Sequence, residues 1–410
     1  MIRFRFGHGY RSACTPQRMR DASGRGRCGC RRPGLFRPGR LLPGFSVRVP
    51  GVGAPPAHSL PECRPAAAVA GSEETGRSAG TVSPRAGDPA RASRPERLSA
   101  LAQQHGALVT LVTAMAVASL SFDTFLTGDN LENMALSSAF LAVVALGMTF
   151  VIVTGGIDLS VGSLFALGGV LAAWGSRYGT VVALLLPLAV CGLIGLVNGL
   201  LIARVRLAPF IVTLAAMLGA RGVLLAITDE GSTTYLVDKD SFFARLGQGS
   251  LLGVGVPVWI TVVLFVLGAV VLRRTRFGQY VYAVGGNEDA GALMGAPVAR
   301  TKVSVYTLSG LCAGLAGALN AAWLVSGVTI LGTGMELEAI SAVVIGGTLL
   351  SGGFGFISGS LVGVLLLKVI QNVINQIGSL DSAYQQVVSG AFLAVVVVAQ
   401  TLLGRRRRVL

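Results

Sequence analysis

"VIVTGGIDLSVGSLFALGG", residues 151–169, starts and finishes like an apolar helix, yet between those ends it carries paired glycines, an aspartate and two serines. Glycine weakens a helix interior, and a lone carboxylate in hydrocarbon is costly. Paired glycines release a preceding helix, and an Asp or Ser just before a helix caps the orphan N–H groups of its first turn. Gly155, Gly156, Asp158 and Ser160 therefore read as a break between two helices, with Asp158 or Ser160 as the cap.

The surroundings make this a membrane problem. Of the 410 residues, 52% are hydrophobic and only 13% charged, with a mean hydropathy of +0.68. A soluble domain averages about a quarter charged. From residue 106 the pattern is apolar blocks broken by short polar loops, and a crossing helix needs about 20 residues. Candidate spans fall near 106–122, 134–154, 160–176, 181–203, 208–227, 250–272, 302–322, 335–350, 356–377 and 384–403. The fold class is all-α: a polytopic membrane protein of about ten transmembrane helices.

Loop charges orient the spans. Arg204 and Arg206 follow the fourth, Arg273, Arg274 and Arg276 the sixth, and Arg405 to Arg408 the last. The positive-inside rule places all three clusters in the cytoplasm, with both termini on that side.

The first hundred residues are different. They hold 18 of the 34 Lys and Arg against 6 of the 19 acids, so they carry +12 of the formal +15. Rich in Arg, Pro and Gly, residues 1–100 read as a disordered basic tail, or as upstream sequence from a start codon assigned too early, with translation beginning near Val82 or later. Arginine density also suits a nucleic-acid arm, but no structural frame accompanies it. The transmembrane domain is 101–404, and 405–410 form a basic cytoplasmic tail. Cys14, Cys28, Cys30 and Cys63 lie in the first tail, Cys191 and Cys312 in apolar runs; neither a disulfide framework nor a metal site follows.

A second broken stretch, "AVVIGGTLLSGGFGFISGSLVG" (342–363), parallels the first. Gly346 and Gly347 end an apolar run, and Ser351 lies in the break before another helix. Two glycine-interrupted segments at matching places are the sequence mark of a transporter with a two-half pseudo-repeat. Close helix packing through small residues accounts for the same glycines, and both can hold together.

Absences narrow the chemistry. His8, His58 and His105 all precede the membrane region, so no embedded histidine base or His-ligated metal is expected. None of Lys239, Lys302 and Lys368 sits in a phosphate-binding G-x-x-x-x-G-K-[ST] loop. Acids of the membrane region fall at span ends or in loops, whereas ion-coupled carriers keep them deep. Transport then needs an external engine, and no catalytic residue or cofactor is expected.

The loop after Leu272 suits contact with that engine. Within 273–301, "NEDAGALMG" has a cap at Asn287 and acids at Glu288 and Asp289 near the positive end of a short helix. In the ninth span Lys368, Gln371, Asn372, Asn375 and Gln376 recur at helical spacing, which reads either as a pore or subunit-interface face or as polar glue with Lys368 snorkelling. Asn198, Thr213 and Asn320 are weaker pore candidates.

"ALGMTFVIVTGGIDLSVGS", "APFIVTLAAMLGARG", "TRFGQYVYAVGGNEDAGALMG" and "ELEAISAVVIGGTLLSGG" together closely resemble the permease subunits of bacterial ribose-type sugar ABC importers. The resemblance covers about Leu131 to Leu403, and within that family the chain looks most like the galactofuranose-importer permeases. It implies a bacterial inner-membrane subunit that pairs with a second permease subunit, identical or homologous. ATP-binding cassette subunits would dock beneath, and an extracytoplasmic sugar-binding protein would deliver from above. It implies a coupling helix at Gly285, Gly286, Asn287, Glu288, Ala290 and Gly295, and a pathway shaped by the Gly155–Ser160 break. A neutral residue is common in the family where this chain has Lys368. The alternatives are a permease of the same architecture for autoinducer-2, nucleosides or branched-chain amino acids, and an ion-coupled carrier or intramembrane enzyme.

Overall fold

The computed structural model describes residues 94–377, with side chains from residue 107, and single positions at 387, 390, 391 and 394. The tail before residue 94, the tenth predicted span and the Arg405–Arg408 cluster lie outside the described residues. The described residues all belong to one compact unit.

Within the described residues, long apolar runs become helices wherever hydropathy predicts a span. In order these are α1 (Arg94–Ser121), α2 (Gly128–Val153), α3 (Val161–Gly175), α4 (Thr180–Leu200), α5 (Pro209–Ile227), α6 (Phe242–Gln248), α7 (Val256–Arg274), α8 (Arg276–Gly286), α9 (Glu288–Leu293), α10 (Val298–Leu324), α11 (Met335–Ile345) and α12 (Ile357–Ile377). Among the described residues six helices (α2, α4 with its π-turn Leu201–Val205, α5, α7, α10 and α12) are long and apolar enough to cross a membrane. The spans predicted at 160–176 and 335–350 are instead short helices of 15 and 11 residues. At a rise of 1.5 Å per residue α11 is only about 16 Å long, about half of a bilayer core. The span predicted from residue 250 starts at Val256, because 250–255 turn back on themselves as a two-residue hairpin, β2 (Ser250–Leu251) with β3 (Val254–Gly255).

α10 runs through the centre, held between α3 and α4 by close backbone approach. A Cβ at Gly314 would overlap the Pro187 carbonyl and the Cys191 side chain, and one at Gly195 would overlap the Tyr306 carbonyl. Small residues let these backbones meet, as they do between membrane helices generally. α2 is buried along most of its length. By contrast α4, α5 and α7 turn large apolar side chains outward, among them Leu185, Leu193, Phe210, Leu218, Val263 and Leu267. That surface suits lipid contact.

The connecting segments sort to two ends. At one, the ends of α2, α8 and the 346–356 loop touch, and α4 with its π-turn packs on the start of α10. Arg273, Arg274, Arg276 and Lys302 sit there, and so do Arg204 and Arg206 at the end of α4, so the two described basic clusters share one end of the bundle. At the other end a short strand, β1 (Tyr235–Leu236), pairs antiparallel with β4 (Ser326–Gly327), and Arg177 lies over the Tyr235 ring.

Candidate functional site: two helix breaks in the bundle

Both breaks begin with the same helix ending. At the end of α2, Gly155 takes φ +78°; its N–H donates to the Ile152 carbonyl at 2.8 Å and that of Gly156 to the Val151 carbonyl at 3.1 Å. At the end of α11, Gly347 takes φ +93°; its N–H donates to the Val344 carbonyl at 3.0 Å and that of Thr348 to the Val343 carbonyl at 3.2 Å. Each is a left-handed glycine cap closing the last turn. The equivalence therefore pairs Gly155 with Gly347, one residue out of step with the glycine doublets read from the sequence. Gly346 is glycine for another reason, since a Cβ there would overlap the Gly359 backbone of α12.

After Gly155 the chain runs without helix to Ser160 and then enters α3. Asp158 settles which residue closes that entry. Its Oδ1 accepts from the Ser160 N–H at 3.0 Å and from the Ser160 hydroxyl at 2.6 Å, and its Oδ2 accepts from the Ser309 hydroxyl of α10 at 2.8 Å. Ser160 makes no side-chain cap of its own; its Oγ also accepts from Asn198 Nδ2 of α4 at 3.3 Å. The Tyr306 hydroxyl donates to the Ile157 carbonyl at 3.4 Å. Asp158 and Ser160 are fully buried; the carboxylate fixes the start of α3 to α10, and the Ser160 hydroxyl fixes it to α4. Asn198 belongs to this clamp and is buried, so it lines no open face. Thr213 is equally enclosed and returns its hydroxyl to the Pro209 carbonyl of its own helix.

The second half-helix starts beside the first. The Gly332 and Gly162 backbones are in contact, and the Glu336 carboxylate lies against Gly162 in the first turn of α3. Arg221 of α5 closes this corner, donating to the Leu331 carbonyl at 3.0 Å and to the Thr333 hydroxyl at 2.7 Å. Glu338, one turn or less into α11, reaches the middle of α12: Lys368 Nζ lies 3.8 Å from its Oε2, and Gln371 Nε2 donates to its Oε1 at 3.1 Å. Lys368 also donates to Gln371 Oε1 at 2.8 Å. Further along the helix Asn372 exchanges bonds with Asn130 of α2, Gln376 donates to Asn372, and Thr124 donates to Gln376. Asn375 is exposed on α12, and Asn320 is buried in α10. The polar residues of the ninth predicted span thus form a track continued by Glu338 and Asn130.

Glu338 and Glu336 are acids at a helix end, as the sequence suggested, but not at a membrane surface. α11 is so short that its first turn lies level with Lys368, the twelfth residue of the 21 in α12. Reading helix start as membrane edge hid Arg221, Glu336 and Glu338. The signal available was the uncharged, glycine- and threonine-rich stretch 326–334, which dips into the bundle instead of staying outside it.

The segment predicted to contact the engine forms two helices. α8 buries Val281 and Val284 and ends at Gly286; Asn287 then caps α9, its Oδ1 accepting from the Ala290 N–H at 2.9 Å. Glu288 is paired with Lys302 of α10 at 2.6 Å. Gly295, at φ +83°, ends the turn after α9. Leu293 and Met294 are left 90% and 76% exposed, far more than apolar residues need be on a finished surface. The Tyr282 hydroxyl donates to the Gly355 carbonyl at 2.7 Å. Burial raises the Tyr282 phenol above its usual range, partly offset by Arg273, so it remains a donor throughout the physiological range. Ser351 is exposed in the 346–356 loop, and among the described residues the buried Thr348 hydroxyl has no partner.

No group of His, Cys, Asp and Glu that could hold a metal ion occurs among the described residues. The arrangement offers hydrogen-bonding groups and half-helix ends within an apolar bundle, which is equipment for passing a polar solute.

Comparison with known proteins agrees. Residues 130–397 match the family described as branched-chain amino acid transport system / permease component. The chain is 41% identical over 304 residues to the ribose import permease protein of Escherichia coli strain K12, covering 73% of this chain and 93% of that protein. It is 41% identical over 307 residues to the ribose import permease protein of Bacillus subtilis, 74% of this chain and 94% of that one. It is 38% identical over 310 residues to an L-arabinose ABC transporter permease protein of Azospirillum brasilense, 75% of this chain and 90% of that one. No solved structure matches. The chain belongs to this permease family of ABC transporters, on its ribose-type sugar branch.

Proposed function

We propose that the chain is the inner-membrane subunit of an ATP-driven importer that carries a pentose or hexose, ribose-like or galactofuranose-like. A separate ATPase would act at the end of the bundle that holds α8, α9 and the basic residues. That end would be cytoplasmic, with both termini on its side and residues 273–301 as the coupling loop of a 101–404 membrane domain. Residues 1–100 and 405–410 would be basic tails outside it. The observation that carries the reading is α9 itself. A capped helix with Leu293 and Met294 bare at the basic end is a surface awaiting a partner.

The permease supplies the path and the partner supplies the energy. A neutral polyol needs donors and acceptors along its route without a deep well, because what is received must be released. The Glu338–Lys368–Gln371 cluster and the Asn130–Asn372–Gln376 track provide such groups from mid-helix to the far end of α12. Asp158 would hold the break in place without touching sugar, since Ser160 and Ser309 already occupy its oxygens. A second permease subunit and an extracytoplasmic binding protein would complete the machine.

The test is copurification from the native membrane by the C-terminus, followed by uptake assays in proteoliposomes. An ATP-binding subunit should accompany the chain and be lost when Leu293 and Met294 are both replaced by Asp. Labelled D-ribose, L-arabinose, galactofuranose, autoinducer-2, a nucleoside and leucine should then separate the solutes. Uptake that survives ATP depletion but dies with the ion gradient would refute the reading.

A further inference from the structure

The two helix breaks are separated by about 190 residues in sequence, yet a third glycine pair joins them. Gly285, next to last in α8, packs its backbone against both: a Cβ on it would overlap the Val153 carbonyl and the Gly353 N–H. Those two groups are themselves bonded, the Gly353 N–H donating to the Val153 carbonyl at 2.9 Å. Gly352 closes the triangle, its Cα facing the Gly155 N–H and the Gly285 carbonyl, with φ +80°. The end of α2, the 346–356 loop and the end of α8 therefore touch main chain to main chain.

We infer that Gly285 and Tyr282 are positioning residues that tie the partner-facing helix α9 to both breaks, so that the two breaks shift together when α9 is displaced. This inference rests on the ATPase-coupling reading above.

The reason is stiffness. A contact between long side chains absorbs a small displacement by changing rotamer, whereas contact between backbones has no rotamers to change. α9 is in turn fixed to α8. The Asn287 N–H donates to the Ala283 carbonyl at 3.2 Å and Gly291 packs on that same turn, while Glu288, paired with Lys302, also holds α9 to the start of α10. Tyr282 adds a strap one turn before Gly285, its hydroxyl bonded to the Gly355 carbonyl two residues before α12 begins. Movement of α9 then reaches Val153, and through residues 155–160 the Asp158 clamp, in the same step in which it reaches Gly353 and the start of α12. An alanine at Gly285 must push two backbones apart, and Tyr282→Phe removes the strap with no change of shape.

The experiment uses the complete complex of permease and copurified ATPase, with the four tail cysteines replaced by serine. Leu159→Cys reports on the first break and Ser351→Cys on the second. The rate of modification by a small thiol reagent is compared with and without a non-hydrolysable ATP analogue. Both positions should respond to nucleotide in the unmodified junction. Gly285→Ala, and more mildly Tyr282→Phe, should diminish both responses together, by roughly 2- to 30-fold, the range over which residues along a coupling network act. Gly222→Ala, in α5 with open space around its Cα, should leave them intact. Unchanged responses in Gly285→Ala and Tyr282→Phe would overturn the inference, and so would nucleotide responses at one break alone or at neither. Loss of the ATPase from Gly285→Ala, with Tyr282→Phe still responding fully, would mean that the junction serves docking only, and would also overturn it. If the unmodified chain binds no ATPase, the coupling reading has failed before the junction is tested.

Discussion

Asp158 is the residue whose removal should do most harm for fewest atoms. Its carboxylate receives three hydrogen bonds at 2.6, 2.8 and 3.0 Å, from the Ser160 hydroxyl, the Ser309 hydroxyl and the Ser160 N–H. Asp158→Ala leaves those donors buried with no acceptor, and each orphan costs about 1–3 kcal/mol. The hydroxyls can turn to other acceptors in part, so we expect a net loss of about 2–5 kcal/mol, below the full sum for three orphaned donors. Asp158→Asn should behave differently. Its Oδ1 still accepts from Ser160, and its amide can donate to Ser309 Oγ, because a hydroxyl accepts as readily as it donates. The expected loss is at most about 1–2 kcal/mol, one charge-assisted bond exchanged for a neutral one. Unfolding of the purified permease in detergent, followed by Trp fluorescence, measures both. If the carboxylate serves only to fix a helix start, as proposed, uptake should follow stability, with maximal rate falling before apparent solute affinity. If Asp158→Ala unfolds with wild-type energetics, the clamp is not what holds α3. If Asp158→Asn changes apparent affinity alone, the carboxylate faces the path and its assignment as a fixing residue is wrong.

Three further outcomes follow from particular contacts. Lys368→Met strands Glu338, and because the pair is 15% and 28% exposed we expect a loss of about 1–3 kcal/mol, less than for a wholly buried pair; adding Glu338→Gln should restore most of it in the same unfolding assay, and uptake retained at the wild-type rate in the double variant would remove both residues from the solute path. Asn287→Ala removes the cap from a helix of only six residues; a cap is worth about 0.5–2 kcal/mol, enough to fray so short an element, and amide hydrogen exchange over 288–293 should quicken while the ATPase subunit dissociates more readily. Gly314→Val must displace the Pro187 carbonyl and the Cys191 side chain; overpacking of this kind costs about 1–3 kcal/mol, and detergent-solubilised protein should lose thermal stability where Gly219→Ala, in open space on α5, does not.

Nine of the ten predicted spans coincide with helices in the described residues, because hydropathy over a window of helix length reports a property of each segment alone. The first break was legible for the same local reason: Gly155, Asp158 and Ser160 are within a few residues of one another. Its partners were not. Ser309 lies 151 residues beyond Asp158, and Asn130 lies 242 before Asn372. Serine and asparagine are common enough that neither announces its mate. The glycine doublets pointed to a repeat but not to its register, since close packing and a positive φ call for the same residue. Gly346 is there for the first reason and Gly347 for the second.

The depth of a residue is a different kind of quantity, and α11 shows why. A sequence fixes where Glu338 lies along its helix, three residues after Met335. It does not fix where that helix starts relative to its neighbours. In a full-length span the two coincide, and an acid in the first turn is bathed in water. In a helix about 16 Å long, whose far end is pinned to α12 by the Gly346–Gly359 contact, the first turn must fall in mid-bundle. An unpaired carboxylate there would be costly, so a cation at the matching level of α12 follows as a physical requirement, and Lys368 is that cation. The charge that looked out of place in an apolar span is therefore explained by the shortness of a helix some thirty residues before it. The same shortness brings the starts of α3 and α11 together at Gly162 and Gly332, at the depth where a solute crossing the bundle would meet them.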